Sequence, residues 1–328
     1  MRLILFILLF ISVDAKAQMV IKAHPNYVPL GGGNLLLDQY PNAAAAYSLR
    51  KLRTAYTGAA IRVRKDTTGQ PEQDIFFTAI GDLDTAALKS FLNARSGFVV
   101  KLYSQGDSST IDFEQGTQAS QPRIANLGVI DRQNGKPAMI FDGSNDFMDV
   151  PSSTNRFNYL HNGTDCFMAS VQRFGNVSDP NNAYSFLDNT GNSAASIGYS
   201  FFYDDRLTVT RNNAIVILTG NNVLSNIVLD FIAPNTQTLL TQIIDANNAT
   251  AANRNILYLN GGNETKNNTL TGTVSSANAL NNMRLGRRSG GTQFTFLGSL
   301  QEIVIWNVNR TSDKSAIESN INAFYGIY

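Results

Sequence analysis

The chain has 328 residues, 43% hydrophobic and 16% charged, with 26 Lys+Arg against 25 Asp+Glu. A chain of this size and composition can bury a large core and is not a disordered acidic or basic tail. Its near-neutral charge argues against a nucleic-acid binder, which needs a basic field or stripe.

Met1-Arg2, the apolar run Leu3 to Val13 and the small-x-small string Ala15-Lys16-Ala17 predict a secretory signal peptide over residues 1–17. The run is too short to span a bilayer, which takes about 20 residues. No second run of that length follows, so the expected product is secreted and not inserted in a membrane. The only cysteine is Cys166, so no lipoprotein cysteine follows the leader. Removing residues 1–17 leaves 24 basic and 24 acidic residues, so net charge should recruit no partner. One Cys allows no internal disulfide, and His24 and His161 alone offer little for a zinc site or a Ser-His-Asp triad.

Residues 18–33 carry Pro25, Pro29 and Gly31-Gly32-Gly33 and read as an irregular segment. From 34 to 328 no linker or repeat divides the chain, so one large domain is expected. Ala45, Leu49, Leu52 and Tyr56 have helical spacing. Asp84 can cap a second helix to Leu92, whose Leu88, Phe91 and Leu92 share a face. The remainder reads as strands. Ile61 and Val63 alternate with Arg62 and Arg64; Phe98, Val100 and Leu102 alternate with Lys101 and Tyr103; Leu207 and Val209 alternate with Thr208 and Thr210. Four runs are apolar on both faces: Met139-Ile140-Phe141, Ile227-Val228-Leu229, Ile256-Leu257-Tyr258-Leu259 and Ile303-Val304-Ile305-Trp306. Such runs belong in the middle of a sandwich. Asn134-Gly135, Asn162-Gly163, Asn260-Gly261-Gly262 and Gly290-Gly291 mark turns. A last helix carries Ile317, Ile321 and Phe324 on one face, with Ser315, Thr311 or Ser312 as its cap and Gly326 closing it. The expected fold is all-β, an antiparallel β-sandwich with a few short peripheral helices.

The string from Asn134 to Val150, Asn-Gly-Lys-Pro-Ala-Met-Ile-Phe-Asp-Gly-Ser-Asn-Asp-Phe-Met-Asp-Val, resembles the early strand pair of laminin-G-like, concanavalin A-like jelly rolls. Leu257-Tyr258-Leu259-Asn260-Gly261 resembles their hairpin. Met283 to Gly286 and Phe296 to Trp306, followed by the last helix, are similar to their closing strands. Residues 34–125 resemble the opening of the catalytic domain of B-type α-L-arabinofuranosidases through Leu36-Leu37-Asp38, Ala45 to Arg50, Tyr56-Thr57-Gly58, Ile61 to Arg64 and Asp84 to Leu88. Those enzymes continue Trp-Tyr-Asp-Gln-Ser-Gly; here the string is Leu102-Tyr103-Ser104-Gln105-Gly106-Asp107, and a single Cys cannot make their disulfides. The resemblance implies the fold, and no catalytic carboxylate is carried over from it.

Candidate sites follow from residue type. Asp204-Asp205 after Phe201-Phe202-Tyr203 combine carboxylates with an aromatic platform, as sugar contact or acid–base work needs. With Tyr203, Asp204 and Asp205, the amides Asn260 and Asn263 are candidate ligand contacts. Asp142, Asn145 and Asp146 cluster oxygens for a calcium ion, although Phe147 stands where an EF-hand loop requires Gly, and an Asx turn explains them better. Trp306 and Glu302 read as strand residues with structural roles. Phosphate loops, Gly-x-Ser-x-Gly and His-Glu-x-x-His strings are absent.

Of 36 Asn, 29 lie in residues 151–328. They fall between strand signals, so they read as turn and loop chemistry of a sandwich. Amides donate and accept, which suits hydroxyl-rich partners. The first functional reading is a non-catalytic protein that binds carbohydrate or a surface glycan. The second is a glycoside hydrolase acting on arabinose-bearing polysaccharide. The third is a self-assembling surface, filament or virion component that packs as a homo-oligomer.

Overall fold

The computed structural model describes residues 35–108, 110–163, 165–175, 183–191, 197–205, 231–266 and 274–328, and the backbone alone for 214–219 and 224–228. The expected signal peptide, the segment to residue 33, the Leu207 to Thr210 alternation and the side chains of the Ile227-Val228-Leu229 run lie outside the described residues. The chain is mostly antiparallel strand. In chain order these are β1 (Ala43–Ser48), β2 (Ile61–Lys65), β3 (Glu72–Ile75), β4 (Gly97–Leu102), β5 (Phe113–Glu114), β6 (Arg123–Asn126), β7 (Val129–Ile130), β8 (Arg132–Gln133), β9 (Lys136–Pro137) and β10 (Met139–Asp142). They continue with β11 (Met148–Asp149), β12 (Cys166–Phe174), β13 (Ala183–Asp188), β14 (Tyr199–Asp204), β15 (Ala214–Thr219), β16 (Leu224–Val228), β17 (Gln237–Ile244), β18 (Asn255–Leu259), β19 (Arg284–Leu285) and β20 (Leu297–Trp306). Among the described residues four short helices accompany them: α1 (Leu36–Gln39), α2 (Thr85–Leu92), α3 (Tyr159–Asn162) and α4 (Lys314–Tyr325).

The strands form a curled sheet that forks at β4. On one side β4 pairs with β2, and β2 with β3. On the other side its Gly97 end pairs with β6 and its Leu102 end with β5. From β6 one arm runs through β10, β20, β12 and β17 to β18. From β5 the other runs through β11, β19, β13, β14 and β15 to β16. The arms face one another across the larger core, and the structure is the expected β-sandwich.

The two-sided apolar run Ile303 to Trp306 has a simple cause. In β20, Ile303 and Ile305 enter the core between the arms, while Val304 and Trp306 enter a second core under α4. Ile317, Ile321 and Tyr325 of α4 close that second core, and Phe167 meets Trp306 edge-on at 5.7 Å. Trp306 is fully buried, and its Nε1 donates to the Tyr40 carbonyl at 2.8 Å. Strand alternation thus puts successive apolar side chains into different cores.

Glu302 is the polar residue in this run. Arg50 grips it with Nε to Oε2 at 2.7 Å and Nη2 to Oε1 at 2.9 Å, and Ser48 Oγ donates to Oε2 at 2.8 Å. Tyr325 OH donates to the same oxygen at 3.1 Å, and Arg50 Nη1 donates to Asn320 Oδ1 at 3.0 Å. Neither ion is more than 2% exposed. The pair ties β1, β20 and α4 together.

The helix expected around Ala45 to Tyr56 is instead β1 and the loop after it. Ala43 to Ser48 pair with Trp306 to Glu302, and both faces are buried, so sheet pairing overrides the helical spacing. Asp84 does cap α2, its Oδ1 accepting from Ala87 N at 2.9 Å. None of Thr311, Ser312 and Ser315 caps α4; Asp313 occupies the N-cap without a side-chain bond, and Gly326 closes the helix at φ +60°. Asn162-Gly163 ends α3 and makes no hairpin, whereas Asn134-Gly135 does turn β8 into β9, at φ +46° and +75°.

Gly298 pairs with Phe141 on one side and Phe174 on the other. A Cβ there would overlap the Arg173 carbonyl oxygen and the Phe296 ring. Gly298→Ala is expected to cost about 1–3 kcal/mol or more through forced repacking, read as a lower urea midpoint at unchanged slope. An unchanged midpoint would show that the ring cluster has slack.

Candidate functional site

Arg62 and Arg64 alternate with inward Ile61 and Val63, and each belongs to a row across one arm. The first row runs Arg64, Phe98, Arg123 and Ile140 in register across β2, β4, β6 and β10. The second runs Asp74, Arg62, Lys101, Glu114, Asp149, Arg284 and Asp188, from β3 across to β13.

Charges in the second row pair off. Arg62 holds Asp74 through two bonds of 2.8 and 2.9 Å, Lys101 Nζ meets Glu114 at 2.6 Å, and Arg284 holds Asp149 at 2.7 and 2.8 Å. The Arg62 bonds hold the Asp74 carboxyl below its usual range, outweighing its partial burial. Arg284 and Arg287 both stack on the Phe147 ring, 4.1 and 3.8 Å from its centre. The row ends at Asp188, which is fully buried. Burial pushes its carboxyl up, opposed by the hydroxyls of Ser200 and Ser289 and the Ser289 N–H. Its oxygens also accept from Thr190 N and Oγ1, both at 3.1 Å. That constellation positions the turns after β13 and before β20.

The first row opens into a pocket of about 540 Å³, within the roughly 300–1,000 Å³ common for small-ligand sites. Arg64 lies over Phe98 at 4.8 Å and donates to Gln121 Oε1 at 2.6 Å and to Gln70. Arg123 holds Asp131 through bonds of 2.8 and 3.0 Å. Exposed Gln118, Asn126 and Asp142 and buried Asp146 also line it.

Of the sequence candidates, the structure brings together Asp142, Asn145 and Asp146. They form an Asx-type turn: Asp142 Oδ1 accepts from Ser144 N at 2.7 Å and Asn145 N at 3.2 Å, and Asp146 Oδ2 accepts from Asp142 N at 2.9 Å. Among the described residues no group of three or more His, Cys, Asp or Glu is placed to hold a metal ion. Asp146 is only 6% exposed, and burial pushes its carboxyl up to about 7 against the Asp142 N–H bond, with a smaller upward push from the Asp142 charge.

The other candidates lie apart. Tyr203 is fully buried and stacks on Phe174 at 5.2 Å and Tyr184 at 6.3 Å, so its ring packs in the core. Asp204 is also fully buried at the end of β14, and Asp205 is half-buried. Asn260, at φ +50°, accepts from Leu239 N at 2.9 Å and closes the turn after β18; Asn263 is exposed beyond it. Arg64 and Arg123, which sequence reading missed, are legible afterwards only as members of alternating strands, and Gln121, in the loop before β6, carries no signal of its own.

No protein-family model and no curated protein matches the chain. Solved structures do. An arabinofuranosidase complexed with arabinofuranosyl-α-1,2-xylobiose superposes with a TM-score of 0.60 at 12% identity, over 86% of this chain and 62% of that one. A GH54 α-L-arabinofuranosidase soaked with a cyclic sulfate inhibitor gives 0.58 at 14% identity, with 86% and 62% covered. A mutant of a GH54 enzyme soaked with 4-nitrophenyl α-L-arabinofuranoside gives 0.56 at 14%, with the same coverage. At such identities the likeness is one of fold. The chain therefore shares its β-sandwich with these arabinofuranosidases and spans 62% of their length.

Proposed function

We propose that this protein is a secreted, non-catalytic carbohydrate-recognition protein built on a jelly-roll sandwich. One observation carries the reading: 86% of the chain follows the fold of a structure that holds arabinofuranosyl-α-1,2-xylobiose. An open, amide- and carboxyl-lined pocket on that fold adds support, because sugar hydroxyls need donors and acceptors together. A glycan array probed with the protein is expected to show binding to neutral plant-type or surface glycans, with and without calcium. A blank array would overturn the reading.

The same likeness supports a second reading, an arabinofuranosidase-like glycoside hydrolase. Release of arabinose from arabinoxylan, abolished by Asp205→Asn with Tm unchanged, would establish it. Inactivity on a broad polysaccharide panel, together with binding on the array, is the outcome the first reading expects.

A further inference from the structure

We propose that the pocket along the Arg64, Phe98, Arg123 and Ile140 row binds a single neutral sugar unit, anchored by the carboxyl of Asp146. The inference rests on the carbohydrate reading and locates it in the molecule.

Three observations lead there. The first is an uncommitted acceptor. Asp146 is 94% buried and lines the pocket; its Oδ2 is held by Asp142 N, and no donor among the described residues reaches its Oδ1. A buried carboxyl with a free oxygen facing a cavity leaves a hydrogen-bonding position for a ligand. The second is charge. Arg123 is matched by Asp131, and Arg64 is held by Gln121 and Gln70 with Asp66 3.4 Å away. Both guanidiniums already have carboxylate partners, and Asp142 adds negative charge that would repel an anion. No group of three or more His, Cys, Asp or Glu among the described residues gathers there around a metal position. The third is mixed chemistry. Phe98 and Ile140 offer apolar surface to a sugar's C–H face, while the exposed Gln118 carboxamide and Asn126 offer donors and acceptors. A neutral, hydroxyl-rich ring of one unit fits all three.

The test is titration calorimetry of the full chain with L-arabinose, D-xylose and arabinofuranosyl-α-1,2-xylobiose. At least one probe is expected to bind. Asp146→Ala should weaken it by about tenfold and Gln118→Ala by about threefold, as lost hydrogen bonds imply. Gln118→Trp, at an exposed position, should block the mouth with Tm unchanged, so the test survives if Asp146→Ala folds poorly. Equal binding by wild type and all three variants would overturn the pocket while leaving the carbohydrate reading intact. Competition by millimolar inorganic phosphate or calcium chloride would overturn the neutral-sugar assignment. Binding to none of the probes and to no glycan on the array would overturn both.

Discussion

Glu302→Ala is expected to destabilise the protein by about 3–5 kcal/mol, because it leaves the Arg50 cation buried without its partner. Arg50 is 2% exposed and spends two of its bonds on Glu302. Its remaining neighbours are Asn320 and the rings of Phe324 and Tyr325, 5.0 and 5.5 Å from the guanidinium. None of these neutralises a charge in a dry site. The double variant Arg50→Met/Glu302→Leu should recover most of the loss, since apolar replacement of a whole buried pair is often neutral or stabilising. Urea unfolding of the two variants measures both numbers. A single variant within about 1 kcal/mol of wild type would mean that water reaches Arg50.

Asp146→Asn is expected to remove a pH dependence of stability. In the unfolded chain an aspartate titrates near 3.9. In the folded chain burial lifts Asp146 to about 7. A raised folded value means that the stabilising contribution is full below pH ~4 and is lost as the pH climbs to about 7. About three units correspond to at most ~4 kcal/mol, and water in the pocket lowers that toward ~2 kcal/mol. Asn stays neutral and keeps an oxygen to accept from Asp142 N. The variant should therefore match wild type near pH 4 and exceed it at pH 8. Parallel stability profiles between pH 4 and pH 8 would contradict the burial of this carboxyl.

The sequence revealed the sandwich better than the site, and the reasons are physical. Runs such as Ile303 to Trp306 carry their environment in their composition, because each successive side chain must enter a core. Ala45 to Leu52 misled because short Ala-rich stretches fit helical and extended periods alike, and only pairing with β20 decides between them. The Glu302 role was legible, since an acid inside an apolar strand requires a buried partner; that the partner is Arg50, 252 residues away, was not. Asp142, Asn145 and Asp146 stood out as an oxygen cluster, and the structure uses them as a turn with one acceptor left facing a pocket. Arg64, Phe98 and Arg123 meet only through strand register between residues far apart in sequence, which composition and local pattern do not encode. Tyr203 stands out as a candidate sugar contact because it precedes two aspartates, yet its ring packs into the aromatic cluster around Phe174.

A crystal of the protein soaked with arabinofuranosyl-α-1,2-xylobiose tests the central claim most directly. The predicted result is sugar density over Phe98 with a hydroxyl within hydrogen-bonding distance of Asp146 Oδ1. Density on the row from Asp74 to Asp188 instead, or an empty pocket at concentrations that saturate binding in solution, would contradict it.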